Sequence, residues 1–186
     1  MLQVRSFIFP AALLLACLSL DAAQVPRKAP EFAVRMTPSG QKLLSNMKGK
    51  VTVLVFISTT CPHCQQLTPD LNRIQNEYGS KGVQVLGCAF NDMSNMLVPD
   101  FIKTYKPNYP LGWAPREAVL EFLQHSPLMQ LYVPILVFVD RNGMIRGQYP
   151  GDDAFHQNEA VNIQAKVEEL LKGVKSSGRR ASGGKK

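Results

Sequence analysis

Histidine and cysteine are scarce in this chain of 186 residues, with three of the first and four of the second. That scarcity bounds metal chemistry. A structural zinc site takes four ligands, usually as two closely spaced Cys/His pairs. Only one such pair is present, Cys61 and Cys64 in "STTCPHCQQ", while His125 and His156 stand alone in sequence and read as surface side chains. Covalent haem attachment needs a histidine directly after the second cysteine, and Gln65 is there instead. No long apolar run lies in the interior, so nothing points to a polytopic membrane protein. No internal repeat is visible.

A basic surface is also missing once the charges are located. The net charge is +7, but Lys175, Arg179, Arg180, Lys185 and Lys186 sit in the end "VKSSGRRASGGKK"; without these five the chain carries +2. That Gly/Ser-rich end has no periodicity and few apolar residues, so residues 174–186 read as a disordered, solubilising tail. No nucleic-acid partner follows from it.

The first residues are different in kind. Arg5 precedes an apolar stretch from Phe7 to Leu20, followed by "DAAQVPRKAP". This reads as a secretory signal peptide over 1–23, cleaved after Ala22 or Ala23. The stretch falls short of the about 20 apolar residues of a comfortable span. A second reading is "LLAC", Leu14 to Cys17, which resembles a bacterial lipoprotein signal and would anchor the exported chain through Cys17. Either route delivers the mature chain to a periplasmic or other extracytoplasmic space, where disulfide chemistry is expected. Three cysteines then remain, Cys61, Cys64 and Cys88, of which two can pair.

With 45% apolar and 19% charged residues, 24–173 is expected to form one globular domain. A short extended piece is expected at Phe32 to Arg35, then a turn and a short helical segment ending at Gly49. Val51 to Ile57 is a continuous β-branched run, the mark of a strand covered on both faces. From Pro62 to Tyr78, Leu67, Leu71, Ile74 and Tyr78 share one helical face, with Pro62 in the first turn, Pro69 as a kink and Gly79 as the stop. "GVQVLGCAF" is a second buried strand, completing a right-handed βαβ unit. Further helices are expected near Val98 to Tyr105, Arg116 to Gln124 and Glu159 to Leu171, with an extended piece at Tyr109 to Leu111. "YVPILVFVD" reads as a strand turning through "RNG" into "MIRGQY" as its antiparallel partner.

The cysteine pair sits where the first strand meets the first helix. A disulfide across so short a loop restrains almost no chain and is a poor staple. Residues i and i+3 on a helix have Cβ atoms about 5–6 Å apart, near enough for a reversible bridge. A redox couple is the reading this favours. Cys61 is expected to cap the helix, exposed beside unpaired N–H groups that stabilise a thiolate. Cys64, one turn in, is expected to be more buried and to resolve the mixed disulfide formed at Cys61. The helix terminus supplies about 1–2 kcal/mol at most, and a strongly oxidising couple needs more. His63, between the cysteines, is the candidate source.

On "APEF", on "GKVTVLVFISTTCPHC" with Pro69 five residues past the second cysteine, and on "VPILVFVDRNG", the chain resembles the thioredoxin superfamily, in its exported TlpA/ResA-like branch. The resemblance spans about Ala29 to Gly173. It implies an α/β fold, the thioredoxin-like three-layer sandwich with a central mixed β-sheet flanked by helices. It implies thiol-disulfide exchange with exported protein substrates, a membrane redox partner that recycles the pair, a monomer, and no cofactor or resident metal. By the same resemblance Pro134 is the cis-proline facing the cysteines, and Val133 helps to hold substrate backbone. Pro62-His63 and the Val-Pro pair are similar to those of DsbA-type oxidases. The acid that relatives place near the pair is missing at Val55 and Leu67.

Two alternatives stay open. A peroxiredoxin-type thiol peroxidase would carry P-x-x-x-T/S-x-x-C, and this chain has Ser58 but Leu54 where the proline belongs. A copper or haem chaperone would use the same two thiols, but no methionine- or histidine-rich cluster accompanies them. Cys88 reads as an inert core thiol.

Overall fold

The computed structural model describes residues 24–173. The signal peptide expected at 1–23, its Cys17, and the tail expected at 174–186 lie outside the described residues.

Eight strands and four α-helices follow in the order β1 (Arg27–Lys28), β2 (Ala33–Arg35), β3 (Gln41–Leu43), β4 (Val51–Ile57), α1 (Pro62–Tyr78), β5 (Val83–Ala89), α2 (Ser94–Tyr105), β6 (Leu111–Trp113), α3 (Arg116–Leu123), β7 (Ile135–Val139), β8 (Met144–Tyr149) and α4 (Glu159–Lys172). The strands form one mixed sheet in the order β1-β8-β7-β4-β5-β6-β2-β3. β4 and β5 run parallel, as the βαβ reading requires, and β6 continues the parallel set. β7 returns antiparallel against β4, and β8 against β7.

All seven residues of β4 are buried, because its two faces meet two different cores. Successive side chains of a strand point to opposite faces. Val51, Val53 and Val55 pack with Leu67, Leu71 and Ile74 of α1 and with Ile163 and Val167 of α4. Leu54 and Phe56 pack instead with Phe32, with Leu86 of β5 and with Val119 and Phe122 of α3. Helices on both faces of the mixed sheet make the expected three layers. No helix among the described residues is long and apolar enough to cross a membrane.

Several boundaries differ from the sequence reading. α1 ends at Tyr78 with Gly79 as its C-cap, as expected, but Gly79 stays right-handed at φ −57°; a 3-10 turn follows over Gly79–Lys81, and the left-handed residue is Gly82 with φ +92°. α2 begins at Ser94, four residues ahead of the expected Val98, after a left-handed Met93. Its first turn, Ser94 to Leu97, buries only Ser94 and so lacks the apolar stripe that marks a helix. β6 lies at Leu111–Trp113 rather than Tyr109 to Leu111, set by its pairing with Gly87–Ala89. β7 begins at Ile135, after the cis Val133–Pro134 bond, and not at Tyr132.

Candidate active site

β4 ends at Ile57, and the four residues before α1 are tied down on two sides. Thr59 donates its N–H to Asn91 Oδ1 at 2.9 Å, and Asn91 Nδ2 donates back to Thr59 Oγ1 at 3.0 Å. Asn91 lies just past the end of β5, so the neighbouring parallel strand fixes the loop that carries the first cysteine. From inside α1, Gln65 Nε2 donates to the Thr59 carbonyl at 3.1 Å.

Cys61 is the N-cap residue of α1, with Pro62 opening the helix after it. The Cys64 N–H, one of the helix's unpaired first-turn donors, is directed at Cys61 Sγ at 3.4 Å. The two residues are free cysteines, Cys61 half-buried and Cys64 1% exposed. Burial pushes the Cys64 thiol up, and the neighbouring Cys61 sulfur and the charge of Glu159 push in the same direction. Behind it, Thr68 Oγ1 donates to the Cys64 carbonyl at 3.3 Å.

The loop before β7 faces the pair from the other side. Cys61 Sγ lies 3.8 Å from the Val133 carbonyl oxygen, and the Val133–Pro134 peptide is cis. Gly151 holds this loop: its N–H donates to the Tyr132 carbonyl at 2.9 Å, and a Cβ there would sit 2.8 Å from Val133 C and O. Val133 therefore borders Cys61 through its carbonyl, with Pro134 next to it in the chain, and Pro62 follows Cys61 as the first residue of α1.

His63 points along a different line. Its Nε2 lies 3.1 Å from Glu159 Oε2, and its ring meets the His156 ring edge-on at 5.5 Å. Glu159 opens α4 and shares its second oxygen with His156 Nδ1. His156 is no surface side chain, contrary to the sequence reading: its side chain is 5% exposed, and its Nε2 lies 3.3 Å from the Tyr149 carbonyl. Burial opposes a charged His156, but the bonds to Glu159 and Tyr149 outweigh it and raise its pKa. An acid does lie near the pair although Val55 and Leu67 are apolar: Glu159, from the last helix, whose charge acts on Cys64. His125, by contrast, is half-buried, with its Nε2 3.4 Å from the Met129 carbonyl oxygen.

Cys88 is fully buried in the core on the opposite face of the sheet from Cys64, where burial pushes its thiol up.

Fold and pair together define a protein of the thioredoxin-like class. The chain belongs to the AhpC/TSA family, which it matches over residues 25–148. It is 25% identical over 139 residues to the thiol-disulfide oxidoreductase ResA of Bacillus anthracis, covering 75% of this chain and 77% of that one. It is 30% identical over 100 residues to ResA of Bacillus subtilis, covering 54% of this chain and 55% of that one. Among solved structures, a thiol:disulfide interchange protein of the thioredoxin family from Chlorobium tepidum superposes with a TM-score of 0.65. Its sequence is 24% identical, and the match covers 81% of this chain and 99% of that one, a likeness of fold.

Proposed function

We infer that this protein is a thiol-disulfide oxidoreductase working through Cys61 and Cys64. The observation that carries the reading is the asymmetry of the pair: a half-buried sulfur at a helix N-cap, and a buried thiol one turn behind it. The Cys61 thiolate attacks one sulfur of a substrate disulfide. A Cys61–substrate bond forms, and the other substrate sulfur leaves as a thiolate. Cys64 then loses its proton and attacks Cys61 Sγ, closing the Cys61–Cys64 disulfide and releasing the second substrate thiol. The pair gives up two electrons and the substrate gains them; run backwards, the same steps oxidise a substrate dithiol. The Val133 carbonyl beside Cys61 is placed to accept a hydrogen bond from a substrate backbone N–H, with Pro134 shaping that loop and Pro62 the helix start.

Protein substrates fit an open site. Leu128, Met129 and Tyr132, on the loop leading to Val133, are exposed large apolar side chains of the kind a polypeptide covers. Export, a membrane partner that recycles the pair, and action as a monomer belong to the same reading; the signal-like first 23 residues support export.

The thiol peroxidase reading is weaker here. Position 54, where that motif has proline, is a fully buried leucine in mid-strand, and a resolving thiol is already in place three residues from Cys61.

The test is a trap. Cys64→Ser is expected to accumulate a mixed disulfide with substrate, visible on a non-reducing gel and released by dithiothreitol, while Cys61→Ser forms none. Peroxide-driven turnover by a chain retaining only Cys61 would overturn the exchange reading in favour of a peroxidase. The reduction potential of the pair then sets its direction, with 30 mV equal to about 1.4 kcal/mol.

A further inference from the structure

We propose that His63, His156 and Glu159 form a binding site for a single divalent transition metal of the Zn²⁺ type, beside the cysteine pair but not built from it. The ligand atoms of these three residues all lie within 4.8 Å of one another. His63 Nε2 and Glu159 Oε2 are 3.1 Å apart. Two ligands on one tetrahedral ion, each about 2.0–2.2 Å from it, stand at a similar separation. The set needs small adjustments to close on an ion.

The second observation lies behind the ligands. A metal-binding histidine commonly donates its other ring N–H to a carbonyl or carboxylate, which fixes the tautomer and the ring. His156 has that support: Nε2 faces the Tyr149 carbonyl at 3.3 Å, so an ion that displaces the proton shared between Nδ1 and Glu159 would meet the Nδ1 lone pair on a ring already held in place. The ring is locked by burial, and it stands edge-on to Phe155. Glu159, 12% exposed, aims one oxygen at each histidine, so the carboxylate is central and held from both sides.

The donor set selects the ion. Two imidazoles and one carboxylate suit zinc and its transition-metal neighbours, whereas calcium and magnesium prefer oxygen alone. Two neutral histidines and one carboxylate carry a single negative charge, which a divalent cation more than offsets. His63 is 39% exposed, which opens the site to entry and leaves room for a solvent ligand in the fourth position. His63 comes from the first turn of α1, Glu159 from the first turn of α4 and His156 from the 3-10 turn Ala154–Asn158 just before it, so an ion here would tie the last helix to the helix that carries the thiols.

The thiols must be kept out of the test, since they bind zinc themselves. Zn²⁺ is titrated calorimetrically into the Cys61→Ser/Cys64→Ser chain, in which the remaining described thiol, Cys88, is buried. One ion per chain is expected at micromolar affinity or tighter, with Mg²⁺ producing no heat. Glu159→Gln and His63→Ala are each expected to weaken binding at least tenfold, and His125→Ala to leave it unchanged. His63→Ala removes a half-exposed side chain, so its fold is expected to persist, checked by far-UV circular dichroism. X-ray absorption of the zinc-loaded chain is expected to show nitrogen and oxygen neighbours. No stoichiometric binding, or binding that Glu159→Gln and His63→Ala both leave intact, would overturn the site.

Discussion

A methyl group at position 151 would press against the backbone of Val133, whose carbonyl lies 3.8 Å from the sulfur of Cys61. Gly151→Ala is therefore expected to act on the chemistry without touching a cysteine. Overpacking of this kind costs about 1–3 kcal/mol, read as a lower denaturant midpoint. The disulfide-exchange rate should fall with it, because the carbonyl that borders Cys61 must move. An exchange rate equal to the parent's would show that the position of this carbonyl is immaterial. Legibility at this scale divides by distance along the chain. Cys61 and Cys64 are three residues apart, so a spacing argument reaches both. Glu159 lies 96 positions from His63, and no local pattern marks it as the carboxylate that meets the histidine. His156 has no neighbouring ligand in sequence, and only the packing of the 3-10 turn before α4 buries it. Asn91 and Gly151 carry no local signal for the same reason: each holds a loop far away in the chain.

The hairpin of β7 and β8 shows how an element holds itself. Asp140 Oδ1 accepts the N–H groups of Asn142 and Met144 at 2.9 and 3.0 Å, and Arg146 Nε donates to Oδ2 at 2.7 Å. Burial alone would raise the Asp140 pKa, but these donors and the Arg146 charge outweigh it and hold the carboxyl below its ordinary value. A carboxyl whose folded pKa is depressed stabilises the fold above its unfolded pKa, about 3.9, and loses that contribution as pH falls through the folded value. Asp140→Asn is expected to cost about 1–3 kcal/mol at neutral pH. Its deficit against the parent should shrink as pH drops below about 4. A deficit constant from pH 7 to pH 2 would remove the carboxylate from the account. This turn was legible as "RNG", and β4, β5 and α1 were legible from continuous apolar runs and helical spacing. The two- and three-residue strands β1, β3 and β6 were not, or were shifted, because so few residues carry no periodicity; their pairing partners set them.

Both cores of the molecule are built on the same strands. β4 presents Val53 and Val55 to α1 and α4, and Leu54 and Phe56 to α3 and the N-terminal segment. Neither face can open without exposing the other side of the same sheet, so a single cooperative unfolding transition is expected. Leu71→Ala on one face and Phe122→Ala on the other should each remove about 2–5 kcal/mol from that one transition. The fluorescence of Trp113, the chain's single tryptophan, should move together with far-UV circular dichroism. Two separated transitions would mean that the faces unfold independently. The unit β4–α1–β5, with a cysteine capping its helix and a second one turn behind, was determined by the sequence alone. Its signals are a buried-strand run, a 3–4 spacing and a proline in the first turn, all properties of neighbouring residues. The tertiary structure alone decided what surrounds that cysteine: the Val133 carbonyl against its sulfur, and the Glu159–His156 pair drawing His63 aside. Those contacts arise because β7 returns antiparallel beside β4 and α4 folds back onto α1's face of the sheet, and the spacing of residues along the chain does not record which ends such packing brings together.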